Sequence, residues 1–202
     1  MEIFVLIEGV HNDLGPINGT TIVNSIDPIC SSVTLLKGRK NILIDTGYRG
    51  YEDEIIARLK DQGLTPADIE VVVNTHLHLD HCYNNHLFTN AKVIYGRSVL
   101  SSKKWDVVSS ITIPGVIIME TPGHFPDHIS ILVKSDQTYV IAGDAIREDI
   151  VQNEAIWKTM NDEYILNAKR ILAVADVIIP GHGRIIQGEL LRKLKTIIAS
   201  RE

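Results

Sequence analysis

The stretch Asn74–Asn85, NTHLHLDHCYNN, sets three histidines and an aspartate within six positions, directly after the apolar run IEVVV. Histidine is scarce in most chains, and this one has eight in 202 residues. Two residues apart on an α-helix means roughly 200° of rotation at 3.6 residues per turn. His76 and His78 therefore cannot serve one metal from a regular helix, and the spacing predicts an irregular loop held by a buried strand. Asp80 and His81 follow at once and point elsewhere, so one loop can feed two neighbouring metals. Imidazole and carboxylate donors of this kind suit zinc, and also iron or manganese.

Three further apolar runs end in the same way. VVVNT leads into His76, IIMETPG into His124, YVIAG into Asp144 and VIIPG into His182. Sites in open α/β sheets lie beyond the carboxyl ends of strands, where loops converge. The four ligands are thus expected to meet if the four strands lie side by side.

Around these runs the chain reads as strands in series with helices interspersed. IFVLIEG, SSVTLLKG and KNILIDTG are strands, the last two joined by the turn Lys37-Gly38-Arg39. EDEIIARLKDQG is an amphipathic helix with Ile55, Ile56 and Leu59 on one face and a stop at Gly63. AKVIYG, GVIIMET, HISILVKS and TYVIAGD are further strands. NDEYILNAKRILAVA is a helix burying Ile165, Ala168, Ile171 and Leu172, and ELLRKLKTIIAS is another. The expectation is one α/β (α+β) domain over residues 1–202, with two packed sheets and helices outside.

Composition narrows the function classes. Apolar residues make up 45% and charged residues 22%, with a net charge of −5, which leaves no electrostatic footprint for nucleic acid or an anionic membrane. No apolar run approaches the roughly 18–20 residues of a membrane span. The opening MEIFVLIEGV lacks a basic segment and reads as a strand, so a cytoplasmic address is expected. Cys30 and Cys82 form no disulfide framework. A homodimer is the default expectation for assembly.

THLHLDH matches the HxHxDH motif of the metallo-β-lactamase superfamily, and LIDTG, TPGH, AGD and PGHG fall in that superfamily's order. The resemblance spans nearly the whole chain. It implies a four-layer αββα sandwich with a dinuclear metal site at one edge. Residue by residue, one metal would take His76, His78 and His124, and the other Asp80, His81 and His182, with Asp144 bridging both. Asp45 in LIDTG matches a residue that supports the site without binding metal. A closer resemblance is to the branch typified by metallo-β-lactamase-domain-containing protein 1, carried by DHCYNNHLF and AVADVIIPGHG. That branch includes endoribonucleases beside other hydrolases.

The chemistry so implied is hydrolysis with two Zn²⁺ per chain, iron or manganese being the alternatives. Zinc lowers the pKa of a bound water to about 7. The resulting hydroxide would attack an ester, lactone, thioester or phosphodiester, with Asp80 orienting the nucleophile and accepting a proton. The expected partner is a small ester-type molecule or, for a nuclease, RNA, and no membrane. Persulfide dioxygenases also carry HxHxDH but use one iron, which makes an oxidoreductase the alternative from another class.

Other singled-out residues have plainer expected roles. His128 is read as a supporting or structural residue, His86 as packing against or capping the helix after the motif, and His11 as part of a surface loop. Cys82 is expected to be an inert thiol. Tyr83, where the branch has glycine, either donates to a developing oxyanion or covers the helix start. LLRKLK is read as the solvated face of a helix.

Overall fold

A computed structural model describes residues 1–13, 26–101, 103–108, 110–148 and 154–199. Seven strands make one sheet: β1 (Glu2–Ile7), β4 (Val33–Lys37), β5 (Ile42–Ile44), β6 (Val71–Asn74), β7 (Lys92–Tyr95), β8 (Ser98–Ser101) and β9 (Lys104–Val107), in that spatial order. β2 (Val10–Asp13) and β3 (Ile26–Cys30) pair as a separate ribbon. The second sheet runs β10 (Ile117–Glu120), β11 (Ile129–Lys134), β12 (Thr138–Gly143), β13 (Val177–Pro180) and β14 (Ile186–Gln187). The helices are α1 (Glu52–Asp61), the single turn α2 (Leu79–Cys82), α3 (Glu154–Trp157), α4 (Asp162–Val174) and α5 (Gly188–Ala199). Among the described residues, no helix is long and apolar enough to cross a membrane.

Side-chain parity explains the layering. Successive residues of a strand face opposite sides of the sheet. Ile42, Ile44, Val71 and Val73 point inward, where they meet Ile131, Val133, Ile141 and Ile179 of the second sheet. Leu43 and Val72, between them in sequence, point outward onto Ile55 and Leu59 of α1. On the far side Leu132, Val140, Ala142 and Ile178 pack against Ala168, Ile171 and Leu172 of α4 and Leu191 and Leu194 of α5. The central strands of the two sheets are covered on both faces, so they read as continuous apolar runs, and the result is a four-layer αββα sandwich of the kind the resemblance implies.

Three expectations need correction. The strands that carry the ligands do not lie side by side in one sheet. β6 belongs to the seven-stranded sheet, whereas β10, β12 and β13 belong to the five-stranded one. The ligands meet across the sandwich, at the edge where both sheets present strand ends. Ile56 is 37% exposed while Ile55 and Leu59 are buried, because one residue turns a helix by about 100° and carries Ile56 off the packed face. His11 lies in β2, opposite Ile29, and the loop expected after it extends into residues 14–25, outside the described ones.

Backbone hydrogen bonds stitch the sheets together at that edge. Ile129 donates to the Thr75 carbonyl at 2.9 Å, and Ser32 donates to the Gly181 carbonyl at 2.8 Å. Gly183 likewise donates to the Gly9 carbonyl at 3.0 Å, while Ser31 ties the segment before β4 to α2, after β6, by donating to the Asp80 carbonyl at 3.1 Å.

If both faces of β5 are core, Leu43→Ala and Ile44→Ala should each cost about 2–5 kcal/mol of stability, seen as a lower denaturant midpoint. A loss below about 1 kcal/mol at either position would contradict the four-layer packing.

Candidate metal centre

Each chemically competent side chain stands just past a strand end. Asp45 follows β5 with φ of 56°, a left-handed conformation unusual for a residue other than glycine. Its N–H extends the β5–β6 ladder by donating to Val73 at 2.9 Å, and its carboxylate turns toward the end of β6. There Oδ1 accepts from the Thr75 amide at 2.7 Å, and Oδ2 accepts from the Thr75 hydroxyl at 2.8 Å and His81 Nδ1 at 2.8 Å. The cost of the backbone conformation is offset by three hydrogen bonds to a buried carboxylate.

The irregular loop expected for His76 and His78 is present and passes into α2, which carries Asp80 and His81. His76 Nδ1 donates to the Thr75 hydroxyl at 3.2 Å, and His182 Nδ1 donates to the Val10 carbonyl at 3.1 Å. With His81 Nδ1 on Asp45, three histidines carry a proton on Nδ1 and turn Nε2 the same way. Such outer partners fix tautomer and ring orientation in metal sites.

All seven residues expected from the sequence come together. His78 Nδ1 lies 2.9 Å from His76 Nε2 and 3.0 Å from His124 Nε2. On the other side, His182 Nε2 lies 3.1 Å from Asp80 Oδ2, which is 3.7 Å from His81 Nε2. Asp144 stands between. Its Oδ2 is 3.3 Å from His124 Nε2, and its Oδ1 is 3.3 Å from His81 Nε2 and 3.5 Å from His182 Nε2. Three groups of donor atoms have the compactness to hold an ion: His76, His78 and His124; His76, His81 and Asp144; Asp80, His81 and His182.

The donors fit a metal. Ligand nitrogens about 2.0–2.1 Å from a tetrahedral centre stand about 3.3 Å from one another, which is the scale of the separations above. His81 Nε2 and Asp144 Oδ1 are also buried without a hydrogen bond among the described residues. An unsatisfied buried polar atom costs about 1–3 kcal/mol, so a cation that both can ligate would relieve the site.

Electrostatics reinforces the point. Burial opposes charge on His81, but the carboxylates of Asp45 and Asp144 outweigh it and hold its pKa well above the ordinary imidazole value. Burial likewise opposes charge on Asp144, yet His81, His182 and His124 hold its carboxyl well below the usual range. Asp80 is lowered as well, since the hydrogen bond from His182 and the charge of His81 overcome its burial. His76 is pushed far down by burial, with His81 adding to the effect, and stays neutral.

Helix α4 supplies supports that no sequence periodicity announced. Asn161 caps it by accepting from the Tyr164 amide at 2.8 Å, and its amide group donates to the Gly123 carbonyl at 2.9 Å. Asn167 donates to Pro122 at 2.7 Å and Arg170 to Glu120 at 3.0 Å. The loop carrying His124 is therefore clamped along the helix. Gly181 is obligatory for a different reason: a Cβ there would stand 2.0 Å from Asp144 Oδ1.

The other singled-out residues fall in plain places. Tyr83 is 38% exposed and lies edge-on to Tyr48 with ring centroids 5.5 Å apart. His86 Nδ1 donates to the Tyr83 carbonyl at 3.2 Å, a capping contact. Cys82 is half-buried, its thiol pushed up to about 11 mainly by burial, and it donates to the His78 carbonyl. Arg192 and Lys193 of α5 are exposed, while Lys195 donates to the Ala175 carbonyl at 2.9 Å.

Comparison with known proteins bears on this arrangement. The signature of the family described as Metallo-beta-lactamase superfamily matches residues 27–102. The chain is 31% identical over 195 residues to "Metallo-beta-lactamase domain-containing protein 1" of Xenopus laevis, covering 90% of this chain and 79% of that one. It is 32% identical over 154 residues to a protein of Methanocaldococcus jannaschii named a "Probable metallo-hydrolase", covering 74% of each. A metallo-beta-lactamase-like crystal structure from Thermotoga maritima superposes with a TM-score of 0.70 at 21% identity, covering 93% of this chain and 99% of that one.

Two outcomes follow for metal binding. In Asp45→Asn one side-chain oxygen must serve donors that now engage two, so metal affinity should fall about 10–100-fold in a chelator competition. Unchanged affinity would contradict the role given to Asp45. The carboxylates of Asp45 and Asp144 favour a further proton on His81, with which a metal at Nε2 competes, so uptake near neutral pH should release protons and tighten as pH rises. Calorimetry in buffers of different ionisation enthalpy checks this; equal heats in all of them would contradict it.

Proposed function

The chain belongs to the metallo-beta-lactamase superfamily and is a hydrolase, and from that premise we propose that it hydrolyses a small ester-type substrate at a centre of two zinc ions. The observation that carries this reading is the orientation of Asp144, whose two oxygens face different groups of histidines. His76, His78 and His124 would hold one ion and Asp80, His81 and His182 the other, with Asp144 standing between the two groups. The all-nitrogen and oxygen donor set suits zinc; iron or manganese are the alternatives.

Bound there, the two ions supply Lewis acidity and water activated at neutral pH. The chain's own residues do the rest. Asp45 and Thr75 keep His81 and His76 in the Nδ1–H form, so that Nε2 is available. Asp80 is the more exposed of the two inner carboxylates, with 13% of its side chain open against 4% for Asp144. Its depressed pKa leaves it ionised at neutral pH. It is therefore the group that orients the attacking water and takes up a proton. Leu77, Leu79 and Tyr83, all exposed, lie on the ligand-bearing stretch, and Phe125 packs on the His78 ring at 5.3 Å. Such a rim suits an organic ester, lactone or thioester. A small phosphodiester is compatible with the same chemistry. RNA is disfavoured by a chain of net charge −5.

Purified protein should carry two zinc per chain and hydrolyse members of a lactone, thioester and phosphodiester panel in a chelator-sensitive manner. Asp80→Ala should lower the rate about 10²–10⁴-fold, and His76→Ala should lose both metal and activity. Wild-type activity in both variants, or one iron per chain with oxygen consumption, would overturn the proposal.

A further inference from the structure

His128 is four residues past His124 and 1% exposed, and its ring makes two hydrogen bonds of opposite sense. Nε2 accepts from the Asp144 amide at 3.1 Å, so that nitrogen carries no proton. The proton therefore sits on Nδ1, which donates to the Thr121 hydroxyl at 2.9 Å. The Thr121 hydroxyl is then committed to Ser130 Oγ at 2.8 Å, and Ser130 donates to the Ala142 carbonyl at 3.0 Å. Each member has one donor and one acceptor used, and all are buried. The chain starts at the amide of Asp144 and ends at the carbonyl two residues earlier, spanning the strand end from below.

That strand end needs holding. Gly143 has φ of 51°, and a Cβ on it would stand 2.6 Å from Thr75 Oγ1 and 2.9 Å from His128 Nε2. The turn that aims Asp144 is thus shaped by the absence of a side chain on one residue and by a hydrogen bond to the next. The His128 ring also lies 5.1 Å from the His76 ring, tilted by 31°. Burial pushes its pKa down to about 3, which keeps it neutral and able to accept.

We propose that His128 is a positioning residue for the two-metal centre, acting through the amide of Asp144 and backed by Thr121 and Ser130, so that its loss weakens both metal positions together. The inference rests on the two-metal reading above. It differs from the role of Asn161, whose bond to Gly123 supports only the loop of His124 and so only one position.

The test is titration of metal-free protein with Co²⁺, read by visible absorption, alongside thermal unfolding of the metal-free forms. His128→Ala and the space-filling His128→Phe should bind both equivalents about 10–100-fold more weakly. His128→Gln keeps an acceptor for Asp144 and a donor for Thr121, and should bind within about 3-fold of wild type. Asn161→Ala should weaken one equivalent and spare the other. Folded His128→Phe with both equivalents at wild-type affinity would overturn the proposal, as would a folded His128→Gln no better than His128→Ala. A wild-type chain taking up a single equivalent would overturn the two-metal reading instead. The positioning role would then be judged on that equivalent by the same comparison of Gln with Phe.

Discussion

A carboxylate buried at the junction of two sheets is the constraint around which this molecule is organised. Asp144 is 3% exposed, and an isolated charge at that depth would neutralise or unfold its surroundings. It stays ionised because His81, His182 and His124 surround it, drawn from loops after three other strands. Those loops belong to both sheets, so the charge is satisfied only when the sandwich has closed. The same dependence accounts for the close approaches at Gly143 and Gly181, where any side chain would enter the space of Asp144 or its neighbours. Breaking the inner packing should therefore reach the site before it reaches the outer helices.

The two sheets contribute unlike parts. The seven-stranded sheet brings the dense motif after β6 and, through Asp45 after β5, the partner that orients His81. The five-stranded sheet brings single candidate ligands at the ends of β10, β12 and β13, each held by its own support. His124 depends on the side chains of α4, and His182 on the carbonyl of Val10. Asp144 depends on a chain of buried hydroxyls and His128. One half is prearranged by local sequence, the other by long-range contact, and the metals would lie on the seam.

That division also marks what was legible in the amino-acid order. The runs at Val71–Val73, Ile129–Val133 and Val177–Ile179 are apolar, rich in β-branched residues and bounded by turns, so both their strand character and their double-sided burial could be read. The candidate ligands stood out because histidine and aspartate directly after such runs are chemically expensive unless used. β8 and β9 were not read, because Ser98–Ser101 and Lys104–Val107 are short and mixed and show neither period clearly. The assignment of β6 to a different sheet from its fellow ligand strands was hidden as well, since strand ends look alike whichever sheet they join. Asn161, Asn167, Thr121 and Ser130 were missed for a further reason. Their partners are fixed by tertiary contact, and a lone asparagine on a helix has no pattern that distinguishes a clamp from a solvated side chain.

The central claim is that one carboxylate joins two metal positions. Anomalous diffraction at the zinc edge from crystals of the metal-loaded protein tests it most directly. Two peaks about 3.5–4 Å apart are predicted, one among His76, His78 and His124, the other among Asp80, His81 and His182, with Asp144 touching both. A single peak, or a second one out of reach of Asp144, would contradict the account.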